Sequence, residues 1–199
     1  MRRFALALTV CALAFGGPSP ANEHVLRHLK EVLVLADEEA AKAVPCDITA
    51  TVTLYNPNLY QFFIQEGDFG AYVLVYSSSP WKLKPGDLVR IEGRSQQGGY
   101  APVIKPDRIQ RLGFAGLPVP AKLSSFSAVH NTDRFDNRFA EVEGRVLTVA
   151  PLYLDGGETQ FGAHELKLEH KGENIEAMLD VPRGQDLSGL VQSDGSSAE

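Results

Sequence analysis

The chain has 199 residues, 44% hydrophobic and 22% charged, with 25 acidic against 19 basic side chains and a formal charge of −6. This is ordinary globular composition, which excludes a wholly disordered or membrane-filling chain. The acidic balance is the opposite of the basic field that grips a phosphate backbone, so it predicts against nucleic acid as a partner.

Arg2 and Arg3 precede a 13-residue apolar run, ALALTVCALAFGG, and the small residue Ala21 follows. A membrane-spanning helix needs about 20 apolar residues, so residues 1–21 are expected to be a Sec-type signal peptide cleaved near Ala21. The expected product is periplasmic or secreted and has no stable transmembrane segment. Cleavage leaves Cys46 as the sole cysteine, which rules out an internal disulfide or a CxxC site.

Residues 22–45 form an N-terminal helical segment in this reading. Val25, Leu26, Leu29, Val32 and Leu33 fall near helical spacing, and a second short helix starts at Asp37. Period-two patterning then takes over. DITATVTLY (47–55) alternates Ile48, Ala50, Val52 and Leu54 with threonines and Tyr55, and Asn56-Pro57-Asn58 turns the chain. LYQFFIQE (59–66) sets Tyr60, Phe62 and Ile64 opposite Gln61, Phe63 and Gln65. Gly67–Gly70 turns into AYVLVY (71–76), Pro85-Gly86-Asp87 opens LVRIEGRSQ (88–96), and a fifth strand covers 103–113, bent at Pro106.

Five short strands with glycine at the bends predict a closed antiparallel barrel over 46–113, because closure removes exposed strand edges. A Pro/Gly-rich linker follows at 114–121. The same order then restarts over 122–185: a helix at 123–131 and strands at 138–149, 164–170 and 175–182. No second copy of LKPGDLVRIEGR (83–94) follows, so this unit is expected to be incomplete and to self-associate. Residues 186–199 read as a disordered tail.

PCDITATVTLYNP, FFIQEGDFGAYV, LKPGDLVRIEGR and GGYAPVIKPDRIQRLG, in that order, resemble bacterial OB-fold domains. The order of helix, barrel, linker and second unit resembles the periplasmic N-terminal region of membrane histidine kinases and diguanylate cyclases, here truncated. The resemblance implies a mainly β protein: a five-stranded OB-like Greek-key barrel with a short N-terminal helix and an incomplete second OB-like unit. It also implies a non-enzymatic sensor input module that takes a small ligand or a periplasmic protein. The alternatives are a secreted OB-fold protein binding nucleic acid or oligosaccharide, and a non-functional receptor fragment.

Catalytic candidates do not survive inspection, and no metal or cofactor is indicated. His24 and His28 share a helix face with Glu31 in the helical reading, but a closed metal site needs a fourth ligand, and amphipathicity explains the spacing. His164 and His170 on one strand stand about 20 Å apart. Asp133, Asp136 and Asp155 fit turns better than a calcium loop. The serines lack a nucleophile elbow, and Asp47 beside Cys46 opposes a thiolate. A binding face remains. OB barrels bind on the face of their second and third strands, where aromatics stack on rings. Phe63, Tyr72 and Tyr76 are expected to point outward there, with Lys82, Lys84, Arg94 and Tyr100 nearby. Packing of Phe63 and Tyr72 against the helix or the second unit is the competing account. Trp81 is expected to plug the barrel end.

Overall fold

The computed structural model describes residues 24–127, 135–151, 163–180 and 187–190. The expected signal peptide, residues 128–131 of the expected 123–131 helix and most of the tail lie outside the described residues. So do Asp133 and Asp155. Within the described residues no helix is long and apolar enough to cross a membrane.

The first unit has five strands: β1 (Pro45–Asn56), β2 (Gln61–Glu66), β3 (Phe69–Tyr72), β4 (Asp87–Gln96) and β5 (Val103–Phe114). They pair antiparallel in the order β3-β2-β1-β4-β5. A parallel bridge between Val73 and Ile104, with the Leu74 amide donating to the Ile104 carbonyl at 2.8 Å, joins the two outer strands. That seam makes the sheet an OB-like barrel. Inside it, Ile48, Ala50, Val52, Phe62, Ile64, Val73, Val75, Val89, Ile91 and Ile104 form one buried cluster.

The alternation along β1 holds only as far as Val52. A bulge between Val52 and Leu54 inverts the faces: Tyr55 turns inward, edge-to-face with Phe62 at 5.2 Å, and Leu54 turns outward opposite Phe63. An extra residue in one strand does this because side chains alternate with a period of two. A second irregularity lies between Glu92 and Gly93, where Gly93 pairs with Pro106. A Cβ at Gly93 would strike the Lys105 carbonyl, so glycine permits the close approach behind the bend at Pro106.

The PGD turn is structural. Gly86 has φ +89° and bonds through its amide to the Val52 carbonyl at 2.8 Å. Asp87 is 1% exposed. Its carboxylate accepts from the Lys84 amide at 3.1 Å and from Arg111 Nε at 2.8 Å, which ties the start of β4 to the end of β5. Burial pushes the Asp87 carboxyl upward, but the Arg111 and Lys84 hydrogen bonds outweigh it and leave the group below the usual carboxylate range.

The N-terminal segment departs from its helical expectation. Helix α1 spans only Leu29–Leu33 and α2 only Asp37–Ala40. Leu26 instead bridges Cys46: its amide donates to the Pro45 carbonyl and its carbonyl accepts from Asp47, both at 2.9 Å. Pairing to the edge of β1 outcompeted the helix upstream of His28. His24 and His28 therefore do not share a helix face. Leu29 and Val32 are fully buried in the barrel cluster.

The second unit is smaller. A parallel pair, β6 (Ala121–Lys122) and β7 (Ala140–Glu141), precedes a three-stranded antiparallel sheet in the order β10-β9-β8. Its members are β8 (Arg145–Pro151), β9 (Ala163–His170) and β10 (Glu173–Asp180). The strand expected at 138–149 is split at Gly144, where a Cβ would press on the Phe126 ring and the Glu169 carbonyl. Phe126 is buried over this sheet, and the Glu173 carboxylate accepts from the Phe126 and Ser127 amides at 2.6 and 2.9 Å. Leu187, at the start of the expected tail, is buried, and Ser188–Leu190 form a 3-10 turn.

Candidate functional site

The outer face of β1, β2 and β3 is built from two cross-strand rows. One row is Leu54, Phe63 and Tyr72; the other is Thr51, Gln65 and Gly70. Directly opposed side chains on one face touch, and the Phe63 and Tyr72 rings meet at 5.5 Å with their planes 61° apart. Both are half-buried. The Tyr72 hydroxyl donates to the Tyr60 carbonyl at 2.7 Å, and burial raises its phenol above the usual value, with Tyr76 adding to the effect.

Tyr60 belongs to this group although its sequence position suggested an inward side chain. It ends the 3-10 turn Pro57–Leu59 in the left-handed conformation at φ 55°, and so leaves the strand alternation before β2 begins. The result is 55% exposure, close to the 58% of Tyr76. Only the turn geometry shows this; the pattern in the sequence carried no such signal.

The remaining expected residues are spread around the barrel. Lys82 is exposed in the connector between β3 and β4. The preceding residue, Trp81, is half-buried rather than a full plug, and its carbonyl accepts the Tyr55 hydroxyl at 2.8 Å. Tyr100 is fully exposed on the β4–β5 loop. Arg94 lies on β4, beyond β5 from the Val73–Ile104 seam, and donates to the Ala43 carbonyl at 3.3 Å. Phe63, Tyr72 and Tyr76 are thus brought together, whereas Arg94 and Tyr100 sit across the seam.

The second unit leans on this face. Gln65 is 4% exposed, and its Oε1 accepts from the Phe139 amide at 2.8 Å while its Nε2 donates to the Gly67 carbonyl at 2.7 Å. Arg138 Nη2 donates to Asp68 at 2.7 Å. At Gly70 a Cβ would collide with the Asn137 backbone. Further along β2, Gln61 Nε2 lies 3.6 Å from the Met178 sulfur. Packing against the second unit, the competing account of this face, therefore applies to its polar row.

Elsewhere the titratable groups serve structure. His28 Nδ1 pairs with Glu66 at 2.7 Å, and the other Glu66 oxygen accepts the Leu29 amide at 2.7 Å. The Glu66 hydrogen bond raises the His28 pKa. Asp47 is held below the usual carboxylate range by Arg90, which grips it with two bonds of 2.6 and 2.8 Å. Cys46 is buried, and burial pushes its thiol up to about 11. Among the described residues no group of three His, Cys, Asp or Glu side chains could hold a metal.

No family model matches the chain, and no curated protein matches it. Among solved structures it is similar to telomere capping protein Ten1 from Saccharomyces pombe. That match has 14% identity and a TM-score of 0.34, and covers 44% of this chain and 78% of the other. It is also similar to a chain of the S. pombe Stn1-Ten1 complex, with 10% identity and a TM-score of 0.36, over 59% and 93% of the two chains. Likeness at this level leaves the fold to rest on the strand order itself.

These findings correct the receptor reading. The expected relationship to periplasmic input regions of histidine kinases and diguanylate cyclases finds no match among family models or curated proteins, and the solved structures named above are a telomere capping protein and a chain of the Stn1-Ten1 complex. The sensor function, the periplasmic ligand or protein partner and the periplasmic or secreted location are withdrawn with it. The exclusion of nucleic acid is withdrawn as well, and the charge distribution supplies the physical reason. Residues 45–114 carry seven Lys and Arg against six Asp and Glu, so the chain's acidity lies outside the barrel.

Proposed function

We propose that this chain is a non-enzymatic OB-fold binding protein whose ligand is single-stranded nucleic acid. The observation that carries the reading is the cluster of Tyr60, Phe63, Tyr72 and Tyr76 at one end of the β2–β3 face. Every base has a π face, and stacking on such rings contributes about 1–3 kcal/mol per base whatever the sequence. Lys82 and Lys84 in the adjoining connector supply charge for a backbone. The barrel's balanced local charge does not repel one. The buried, strongly raised Cys46 thiol is unsuited to nucleophilic attack.

One observation favours an oligosaccharide instead: no Lys or Arg occurs from Gln61 to Tyr72, so the strands themselves offer rings, amides, hydroxyls and carboxylates but no cation. Anisotropy of a labelled twelve-nucleotide oligothymidylate, measured at low and moderate salt, separates the two. Binding that weakens steeply with salt is expected for nucleic acid. Binding of a neutral oligosaccharide without salt dependence, and none of the oligonucleotide, would reverse the order. The division into a barrel at 46–113, a linker at 114–121 and a second unit at 122–185 is part of the same proposal.

A further inference from the structure

We propose that the second unit is a built-in lid on the β2–β3 face, which a ligand must displace or share to reach Phe63 and Tyr72. This rests on the function proposed above and adds how access to that face is controlled.

Four contacts place the lid. They run along one side of the barrel: Met178 at Gln61, the Phe139 amide at Gln65, Arg138 at Asp68 and the Asn137 backbone at Gly70. The Phe63–Tyr72 row lies between the first contact and the other three. Both rings are only half-exposed, whereas Tyr60 and Tyr76 at the margin are open.

The contacts have the character of a closure that can open. They are mostly polar: a single amide bond to Gln65, one ion pair whose Asp68 side is 83% exposed, and a weak sulfur contact. Exposed ion pairs contribute little, so the pair positions the lid more than it fastens it. Arg138 is nine-tenths buried, yet its Nε has no hydrogen-bond partner. A buried unsatisfied donor is unfavourable, and lifting the segment would return it to water. Asn137 holds φ 55°, a conformation that Asn tolerates better than most residues and that turns the chain down onto Gly70. Gly70 itself does not need positive φ. Its missing side chain is what admits the Asn137 carbonyl.

That last point supplies the test. Gly70→Ala should fit a strand of the barrel while its methyl wedges residues 137–139 away. Arg138→Glu sets a carboxylate against Asp68 and should open the lid by a second route, and adding Asp68→Lys should close it again. Hydrogen exchange at the Phe139 amide reports opening without any ligand, in the full chain. Anisotropy of the twelve-nucleotide oligothymidylate and of a neutral oligosaccharide reports binding.

The expected result is faster Phe139 exchange in Gly70→Ala and Arg138→Glu, and ligand binding about tenfold tighter than in the unaltered chain. A closed population reduces apparent affinity by the fraction that is open. The Arg138→Glu, Asp68→Lys pair should restore slow exchange and weaker binding. Unchanged exchange in both opened variants would overturn the lid. Faster exchange with unaltered affinity would overturn the gating alone. Faster exchange with neither probe bound by any variant would overturn the proposed function, and the gating with it.

Discussion

The two strand-rich units differ in one decisive respect, closure. In the barrel, Val73 just past β3 bridges Ile104 of β5, and eight of the twelve largest fully buried side chains lie on β1–β5. In the second sheet β9 has partners on both sides, but β8 and β10 each pair on one side only among the described residues. Its burial is shallower: Leu166 and Leu168 keep 9% exposure, against none for Ile48, Ile64 or Ile91. Closure lets a short chain satisfy its backbone and enclose a dry core at once, whereas an open sheet must lean on something. Here Met178 of β10 touches Gln61 of the barrel, and the segment 137–139 ahead of the sheet supplies the other contacts to the barrel's outer face.

The largest effect that could break this comparison is Ile91→Asp. It places an unpaired charge in the barrel core, at a cost of several kcal/mol, and should abolish the cooperative thermal transition. The matching change Leu166→Asp in the second sheet should leave that transition largely in place. Equal losses from the two would mean that the units fold as one.

Next comes Asp87→Ala, which removes a buried carboxylate from Lys84 and Arg111. It should lower stability by about 2 kcal/mol in denaturant titration. Because this carboxyl's folded pKa is depressed, its contribution is complete above the unfolded value near 4. It fades as pH falls through the folded value. A stability that is flat through that acid range would contradict the pairing.

On the site itself, Phe63→Ala and Tyr72→Ala should each weaken oligonucleotide binding about tenfold, the loss of roughly one stacked base. Leu54→Ala, in the same row but without a ring, should change it far less. A loss at Leu54 as large as at the two rings would point to packing rather than stacking.

The smallest effect concerns His28, whose pKa is raised by its bond to Glu66. This attachment of α1 to the hairpin is complete below pH about 6.5 and is lost as pH rises through the raised folded value. Exchange at the Leu29 amide should quicken over that window and become pH-independent, after correction for intrinsic rates, in Glu66→Gln. A quickening towards acid pH would reverse the assignment.

Much of the barrel was legible in the sequence because its signals are local. The alternation in QFFIQE put Phe62 and Ile64 inside and Phe63 outside, and PGD marked the turn before β4. What was missed depends on distant partners. Leu26 fits a helical stripe and only its pairing with Cys46 makes it extended, while the bulge at Thr53 is visible only as a register shift against β2. In the site, Phe63 and Tyr72 followed from alternation, but Tyr60 needed the left-handed turn. The role of Arg138 needed a partner 70 residues away. Net charge says little about the barrel because it averages over regions of different balance.

The most direct test is native-state hydrogen exchange of the whole chain, followed by mass spectrometry. The barrel strands, above all the Val73 and Leu74 amides at the seam, should exchange only through global unfolding. β8 and β10 should exchange earlier, through local opening. Protection in β8–β10 that equals or outlasts the barrel's would contradict the claim that the closed barrel is the stable unit on which the second one rests.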